Sequence, residues 1–479
     1  MARKADLVVR NGLIVSGEGI HKGDIVVRDG KVSRVYERET GVPAQRVIDA
    51  SGKYVLPGII DPHCHPVYAD KMDTFSASAA FGGITTVIPF VGNVRAWGFT
   101  GRTSEIVKRF IGEGEAASHL DFSLHAAFVG DDDAAGEIPE LMRLGVISFK
   151  SFMAYPRRGM MMPDAKLLQI MGMAADLGGL PMVHAENGYA VDYLAERFVA
   201  QGFTDNRAFL ASQPNVLEVE AVTRACTYAA VAGSPIYLVH LSARETMGAL
   251  LRYKDDGLTV FGETCPQYLT LTNEEVIRHG PLAKVGPPLR EEGDTDAMWE
   301  ALAYGLLDSV GSDSAGLLRE QKWVSLAPAP AEGGLPRARN ILEARYGASW
   351  AEQMLAVVYH EGVNRGRLSL PRLVQVMCEN PAKIFGLYPQ KGALRPGSDA
   401  DLVVFDPSIR HTLSAAAQHC KADYTLYEGK EVLGKPVVVV QRGKVVMEEG
   451  KLVRPQGRAR FIAGRPERAA YAPGGHEVA

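Results

Sequence analysis

Short apolar runs punctuate the chain in two different rhythms. Near the start, residues 6–10, 12–16, 24–28 and 31–36 read as strands, and Asp29-Gly30 between the last two is a strong hairpin signal. The far end answers in kind: 401–405 and 437–441 are short apolar strands, and Arg442-Gly443 turns into 444–447. Neither set is large enough to bury a core by itself, so the pattern predicts one small β-sandwich assembled from both termini. Between them the rhythm changes. β-rich runs recur at 57–61, 84–90, 121–128, 146–153, 181–186, 235–242, 258–265 and 308–314, most of them separated by helix-compatible stretches such as 164–177 and 217–232. Strands alternating with helices pair in parallel, and eight of them predict an α/β fold with a closed (β/α)8 barrel; a doubly wound open sheet is the structural alternative. The expected division is 1–55 and 386–455 for the sandwich, 56–385 for the barrel and 456–479 for a C-terminal arm.

Composition adds exclusions. A chain of 479 residues suits a large domain plus a smaller one. Its net charge of -4 leaves no basic footprint for nucleic acid and no polybasic membrane patch. Five cysteines without paired spacing favour reduced thiols and a cytoplasmic protein. The early run Leu7-Val8-Val9 is broken at once by Arg10-Asn11-Gly12, so no signal peptide is expected, and no uncharged apolar run approaches membrane-spanning length.

In a barrel, functional residues gather at the C-terminal ends of the strands. The first run ends in Asp61-Pro62-His63-Cys64-His65. Alternation along a strand puts Asp61, His63 and His65 on one face, where two imidazoles can grip a metal ion and the carboxylate can orient a ring from behind. The fourth run places Lys150 inside an apolar strand, the fifth and sixth end on His184 and His240, and the eighth ends on Asp313. His184 or His240 alone would more often be a hydrogen-bonded core histidine. A buried lone ammonium is costly unless its pKa falls or it is paired. A neutral lysine amine can instead take up carbon dioxide as a carbamate, which can bridge two cations.

The chain resembles the two-metal amidohydrolases, in the dihydropyrimidinase and hydantoinase branch, over nearly its whole length. The resemblance rests on Asp61-x-His63-x-His65, Ser148-Phe149-Lys150, Phe152-Met153-Ala154-Tyr155, Val183-His184-Ala185-Glu186-Asn187 and Glu263-Thr264-Cys265-Pro266-Gln267-Tyr268-Leu269. It extends to Pro287-Pro288-Leu289-Arg290, Gly311-Ser312-Asp313, the run from Asn380 to Leu387 and Gly397-Ser398-Asp399-Ala400-Asp401. It implies two divalent metal ions, with zinc expected: His63, His65 and Asp313 on the more buried one, His184 and His240 on the other, and Lys150, as N6-carboxylysine, bridging them. It further implies a bridging hydroxide as nucleophile, Asp313 as base and then acid, and Tyr155 as oxyanion donor. Backbone groups near Gly286 and Glu332 would hold the ring's amide edge, although the family usually has serine and asparagine there. A homo-oligomer, tetramer or dimer, is implied as well.

The expected reaction is hydrolysis of a small cyclic amide, a dihydropyrimidine or a 5-substituted hydantoin. Val67 stands where a dihydroorotase would carry arginine and an allantoinase asparagine, which disfavours both. Only residues 66–81 separate His65 from Gly82-Gly83, fewer than is typical, so a cyclic imide or another amide is a live alternative. Arg157 and Arg158, beyond Tyr155, read as a solvated loop. A one-metal deaminase is opposed by Lys150 in its setting, and a metal-free scaffold by the presence of all six ligand-type residues.

Overall fold

The computed structural model of the chain describes residues 4–37, 40–130, 132–325, 336–453 and 456–471. The middle runs form strands in the expected order: Ile59–Cys64, Ile84–Gly92, His125–Ala127, Ser148–Phe152, Leu180–His184, Ile236–Leu238, Val260–Thr264 and Ser309–Val310. Each lies parallel to the next. The ring closes through a bridge between Cys64 and Ser314. There the His65 N–H donates to the Ser314 carbonyl at 2.9 Å and the Asp313 N–H to that of His63 at 2.8 Å. The middle of the chain is therefore a barrel, not an open sheet. Its interior holds Ile60, Phe90, Met182 and Tyr237, and Phe385 packs on His125 and Tyr237. Helices such as Asp164–Leu177 and Asn215–Ala232 lie outside and turn Leu167, Ile170, Val222 and Ala225 inward.

The strands from both ends share one nine-stranded mixed sheet with a core of its own, which includes Leu7, Val9, Ile25, Val55, Leu402 and Val404. The two runs expected at 6–10 and 12–16 are one strand, Ala5–Ser16, with a bulge: the register slips between Val9 and Gly12, and Asn11 adopts a φ of 61°. Asp29 and Gly30, both with positive φ, make the expected hairpin between Gly19–Arg28 and Lys31–Tyr36.

The run expected at 57–61 is shared by the two units. Tyr54–Pro57 pairs with Ala5–Ser16 and with Leu402–Thr412, while Ile59–Cys64 belongs to the barrel. The chain crosses at Gly58, where a Cβ would lie 2.0 Å from Thr85 Oγ1, so no other residue fits without displacing that strand. A buried charge cluster ties the units together. Lys391 Nζ lies 2.6 Å from Asp121, 3.1 Å from Asp399 and 2.7 Å from Asp401, and Arg442 also reaches Asp121. Among the described residues no helix is long and apolar enough to cross a membrane.

Candidate metal centre

One cavity at the C-terminal mouth of the barrel is lined by His63, His65, Lys150, Tyr155, His184, His240, Gly286 and Asp313. The sequence-predicted site residues thus come together, save Glu332, which lies outside the described residues. All but Gly286, which comes from the loop after the short helix Gly280–Ala283, reach the cavity from a strand or just past one: Lys150 from within Ser148–Phe152, His184 from the last position of Leu180–His184, and His240 two residues past Ile236–Leu238. Among the described residues seven non-glycine residues have positive φ; Asn11, Asp29, Arg442 and Glu449 lie in turns or bulges, but Tyr155, His240 and Asp313 (φ 65°, 40° and 48°) are in the cavity wall. Such backbone costs of the order of 1–3 kcal/mol per residue and persists where the surroundings enforce it.

The polar atoms converge in two groups. His63 Nε2 and His65 Nε2 lie 3.1 and 3.2 Å from Asp313 Oδ1, and the three residues offer ligand atoms within 4.8 Å of one another. Beside them, His184 Nδ1 and His240 Nε2 face each other at 2.9 Å, and the rings of His63 and His240 are 5.3 Å apart. Lys150 Nζ lies over the rings of Phe90 and Phe152, at 4.9 and 5.3 Å, with no carboxylate in ion-pair reach among the described residues. Burial brings its pKa down to about 7, partly opposed by the Glu263 and Asp313 charges, so a substantial share of its amine is uncharged near neutrality.

The other charges respond to one another. Burial alone would lower His63, but the carboxylates of Glu263 and Asp313 outweigh it and raise the imidazole to about 9. Burial would likewise raise Asp313, yet His63 and His65 hold it well below the usual carboxylate range. Burial lowers His65 and His184, and takes His240 well down with help from His184 and Lys150. This donor set suits cations. Glu186 accepts from His184 Nε2 at 2.7 Å, which leaves the Nδ1 lone pair turned toward His240. The Nδ1 atoms of His65 and His240 have no hydrogen-bond partner among the described residues. Four imidazoles, a carboxylate and a neutral-prone amine around one cavity fit divalent metal ions of the zinc type.

One expectation fails. Asp61 does not orient a ring: its Oδ1 accepts from the backbone N–H of Ser312 at 2.9 Å and of His63 at 3.2 Å, and its Oδ2 from the Ser312 hydroxyl at 2.6 Å. The register of Ile59–Cys64 slips between Asp61 and Cys64, which breaks the alternation behind that reading. The ring-orienting carboxylate is Glu263, from the seventh strand. Its Oε1 lies 2.6 Å from His63 Nδ1 and accepts from the His240 N–H at 3.1 Å, and its Oε2 accepts from Tyr237 at 2.8 Å. Glu263 enters the sequence reading only as the first residue of the Glu263–Leu269 motif, with no role attached to it. Tyr68, Trp97, Arg158 and Tyr346 also line the cavity, unforeseen as a group. The two loop arginines divide: Arg157 pairs outward with Glu196 and Asp192, whereas Arg158 turns in over the Tyr155 ring at 4.8 Å.

A parallel barrel with four histidines, Asp313 and Lys150 at this mouth is an arrangement suited to metal-assisted hydrolysis. The amidohydrolase family profile matches residues 154–446. The chain is 39% identical to a D-hydantoinase of Rhizobium radiobacter over 453 residues, covering 92% of this chain and 94% of that protein. It is 36% identical to an L-hydantoinase of Paenarthrobacter aurescens over 454 residues, with the same coverage of both. The crystal structure of a dihydropyrimidinase from Brevibacillus agri superposes with a TM-score of 0.88 at 30% identity, over 96% of this chain and 98% of that one. The chain belongs to the amidohydrolase family and is a hydantoinase/dihydropyrimidinase-like hydrolase, of the class that acts on carbon–nitrogen bonds in cyclic amides.

Proposed function

We propose that this protein opens the ring of a dihydropyrimidine or a 5-substituted hydantoin with two divalent metal ions, zinc by donor preference. The observation that carries the reading is Lys150, a buried amine without an acidic partner among four histidines and Asp313. His63, His65 and Asp313 would hold one ion and His184 and His240 the other, with Lys150 as the carbamate joining them. When bound, such ions lower the pKa of water and polarise a carbonyl.

The chain's own groups supply the rest. Asp313 lies against His63 and His65 in the wall of the cavity that His184 and His240 also line, where its carboxylate can take the proton from the attacking water and return it to the leaving ring nitrogen. Burial and the nearby Glu186 charge keep the Tyr155 phenol well above its ordinary pKa, so it stays a hydrogen-bond donor for the developing oxyanion. Glu263 and Glu186 fix the tautomers of His63 and His184. Backbone groups at Gly286, in the cavity wall, would receive the ring's amide edge, with Glu332 as the second such position. We read the barrel as residues 56–385 and the protein as a homo-oligomer; the helix Gly188–Ala200 supports an assembly, since it leaves Tyr189 and Tyr193 69% and 62% exposed.

The test is ring opening of dihydrouracil and of 5-substituted hydantoins, followed as loss of ring-amide absorbance, with metal content per chain measured in parallel. Turnover with near two metal ions per chain, both lost in Lys150→Ala, is expected. A metal-loaded protein inert on both rings would refute the substrate assignment.

A further inference from the structure

Arg158 and Arg345 stand near the catalytic cavity without a carboxylate partner among the described residues. The other guanidiniums nearby are matched: Arg157 by Asp192 and Glu196, and Arg339 by Glu343. Arg158 lies where the catalytic cavity meets an outer vestibule of about 480 Å³, and it lines both, as do Tyr155 and Tyr346. Arg345 is half-buried and directly precedes Tyr346, which lines both cavities. Tyr68 completes the group. It comes from the short connection after His65, and its hydroxyl accepts from Trp97 Nε1 at 3.0 Å. That leaves its own proton without an acceptor among the described residues.

The segment behind these groups is firmly held. Lys284 donates to the carbonyls of Ile341 and Leu342 at 2.8 and 2.9 Å, and Lys322 to those of Lys284 and Gly347 at 2.9 and 2.6 Å. Both lysines are buried, and they pin the chain that carries Arg345, Tyr346 and Gly347. Unpaired guanidiniums kept partly out of water, beside a free hydroxyl donor, are suited to an anion arriving with the substrate.

We propose that Tyr68, Arg158 and Arg345 bind a carboxylate on the exocyclic substituent, so that the preferred substrates are cyclic amides bearing an anionic side chain. This rests on the ring-opening reading above and names the substituent that reading leaves open. The ring enters past Tyr155 and Tyr346 with its substituent directed to Arg158. Selectivity arises in binding, because none of the three groups belongs to the proposed proton-transfer machinery.

The experiment compares charged and neutral isosteres on the metal-loaded protein: hydantoin-5-acetate against hydantoin-5-acetamide, and the propionate against the propionamide. At least a tenfold higher kcat/KM for the better carboxylate over its amide is expected, carried by KM and reduced by salt. Arg158→Gln and Arg345→Gln should each cut that ratio about tenfold, and Tyr68→Phe by a smaller factor. Opening of the amides with no preference for the carboxylates would overturn this proposal and leave the ring-opening reading standing. A ratio unchanged in both arginine variants would also overturn it. Failure to open any of the four rings would overturn this proposal, and the assay on dihydrouracil then decides the ring-opening reading separately.

Discussion

The Glu263 carboxylate offers a direct test of how the metal centre is built. Replacing it by glutamine keeps the shape and removes the charge. The amide oxygen can occupy the place of Oε1, 2.6 Å from His63 Nδ1 and 3.1 Å from the His240 N–H. The amide NH2 would then face Tyr237, whose hydroxyl also has Ser309 Oγ at 2.7 Å and can turn to it. The fold should survive, but the hydrogen bond to His63 becomes neutral and roughly half as strong. The imidazole becomes a poorer electron donor with a looser orientation. Loss of an outer partner of this type costs about 10–100-fold in metal affinity, or about 1.4–2.8 kcal/mol. Competition against a chromophoric chelator, with metal counted per chain after dialysis and circular dichroism as the folding control, measures it. Retention of metal by Glu263→Gln within twofold of the parent would refute the assignment of Glu263 as the group that orients His63.

A Cβ at Gly286 would lie 2.4 Å from the Tyr155 hydroxyl, so Gly286→Ser should push that hydroxyl back and lower kcat about 10–100-fold in ring-opening assays, with metal content unchanged. Lys391→Met leaves Asp121, Asp399 and Asp401 facing one another without their buried cation, and urea unfolding should show a loss of about 3–5 kcal/mol. His125 is held neutral between Ser148 Oγ at 2.6 Å and the Pro62 carbonyl at 2.9 Å, and burial takes its pKa down to about 3. The unfolded chain therefore takes up a proton near pH 6.5 that the folded chain refuses until about 3, so stability falls as pH drops through that window. His125→Gln should flatten the difference in thermal unfolding between pH 7 and pH 5 relative to the parent.

The barrel and its six ligand-type residues were legible because alternation puts an apolar run and its terminal polar residue in one local pattern. His63, His65, His184, His240 and Asp313 all sit at or just past strand ends, where that pattern stops. Lys150 was legible as a charge in an apolar strand. Glu263 shares that signature, but its role depends on His63, 200 positions away, and nothing local distinguishes the two strands. Asp61 was misread because a bulge breaks the period on which the reading relied. The division between Arg157 and Arg158 was out of reach, since it follows from Asp192 and Glu196 on a helix packed later in the chain. Lys284 and Lys322 gave no signal as buried residues, because carbonyls rather than carboxylates hold them.

The strand Tyr54–Pro57, continuous with the strand that carries His63, also sets a timetable for synthesis. Its antiparallel neighbour is Leu402–Thr412, with Leu56 opposite Val403, and Lys391 and Asp401 complete the charge cluster beside it. A growing chain on the ribosome therefore presents His63 and His65 on a strand that can pair early with Ile84–Gly92, long before Leu402–Thr412 has emerged. Pairing at such separation comes late in folding. The nascent protein must pass most of its elongation as a partial barrel whose first strand still lacks its C-terminal brace.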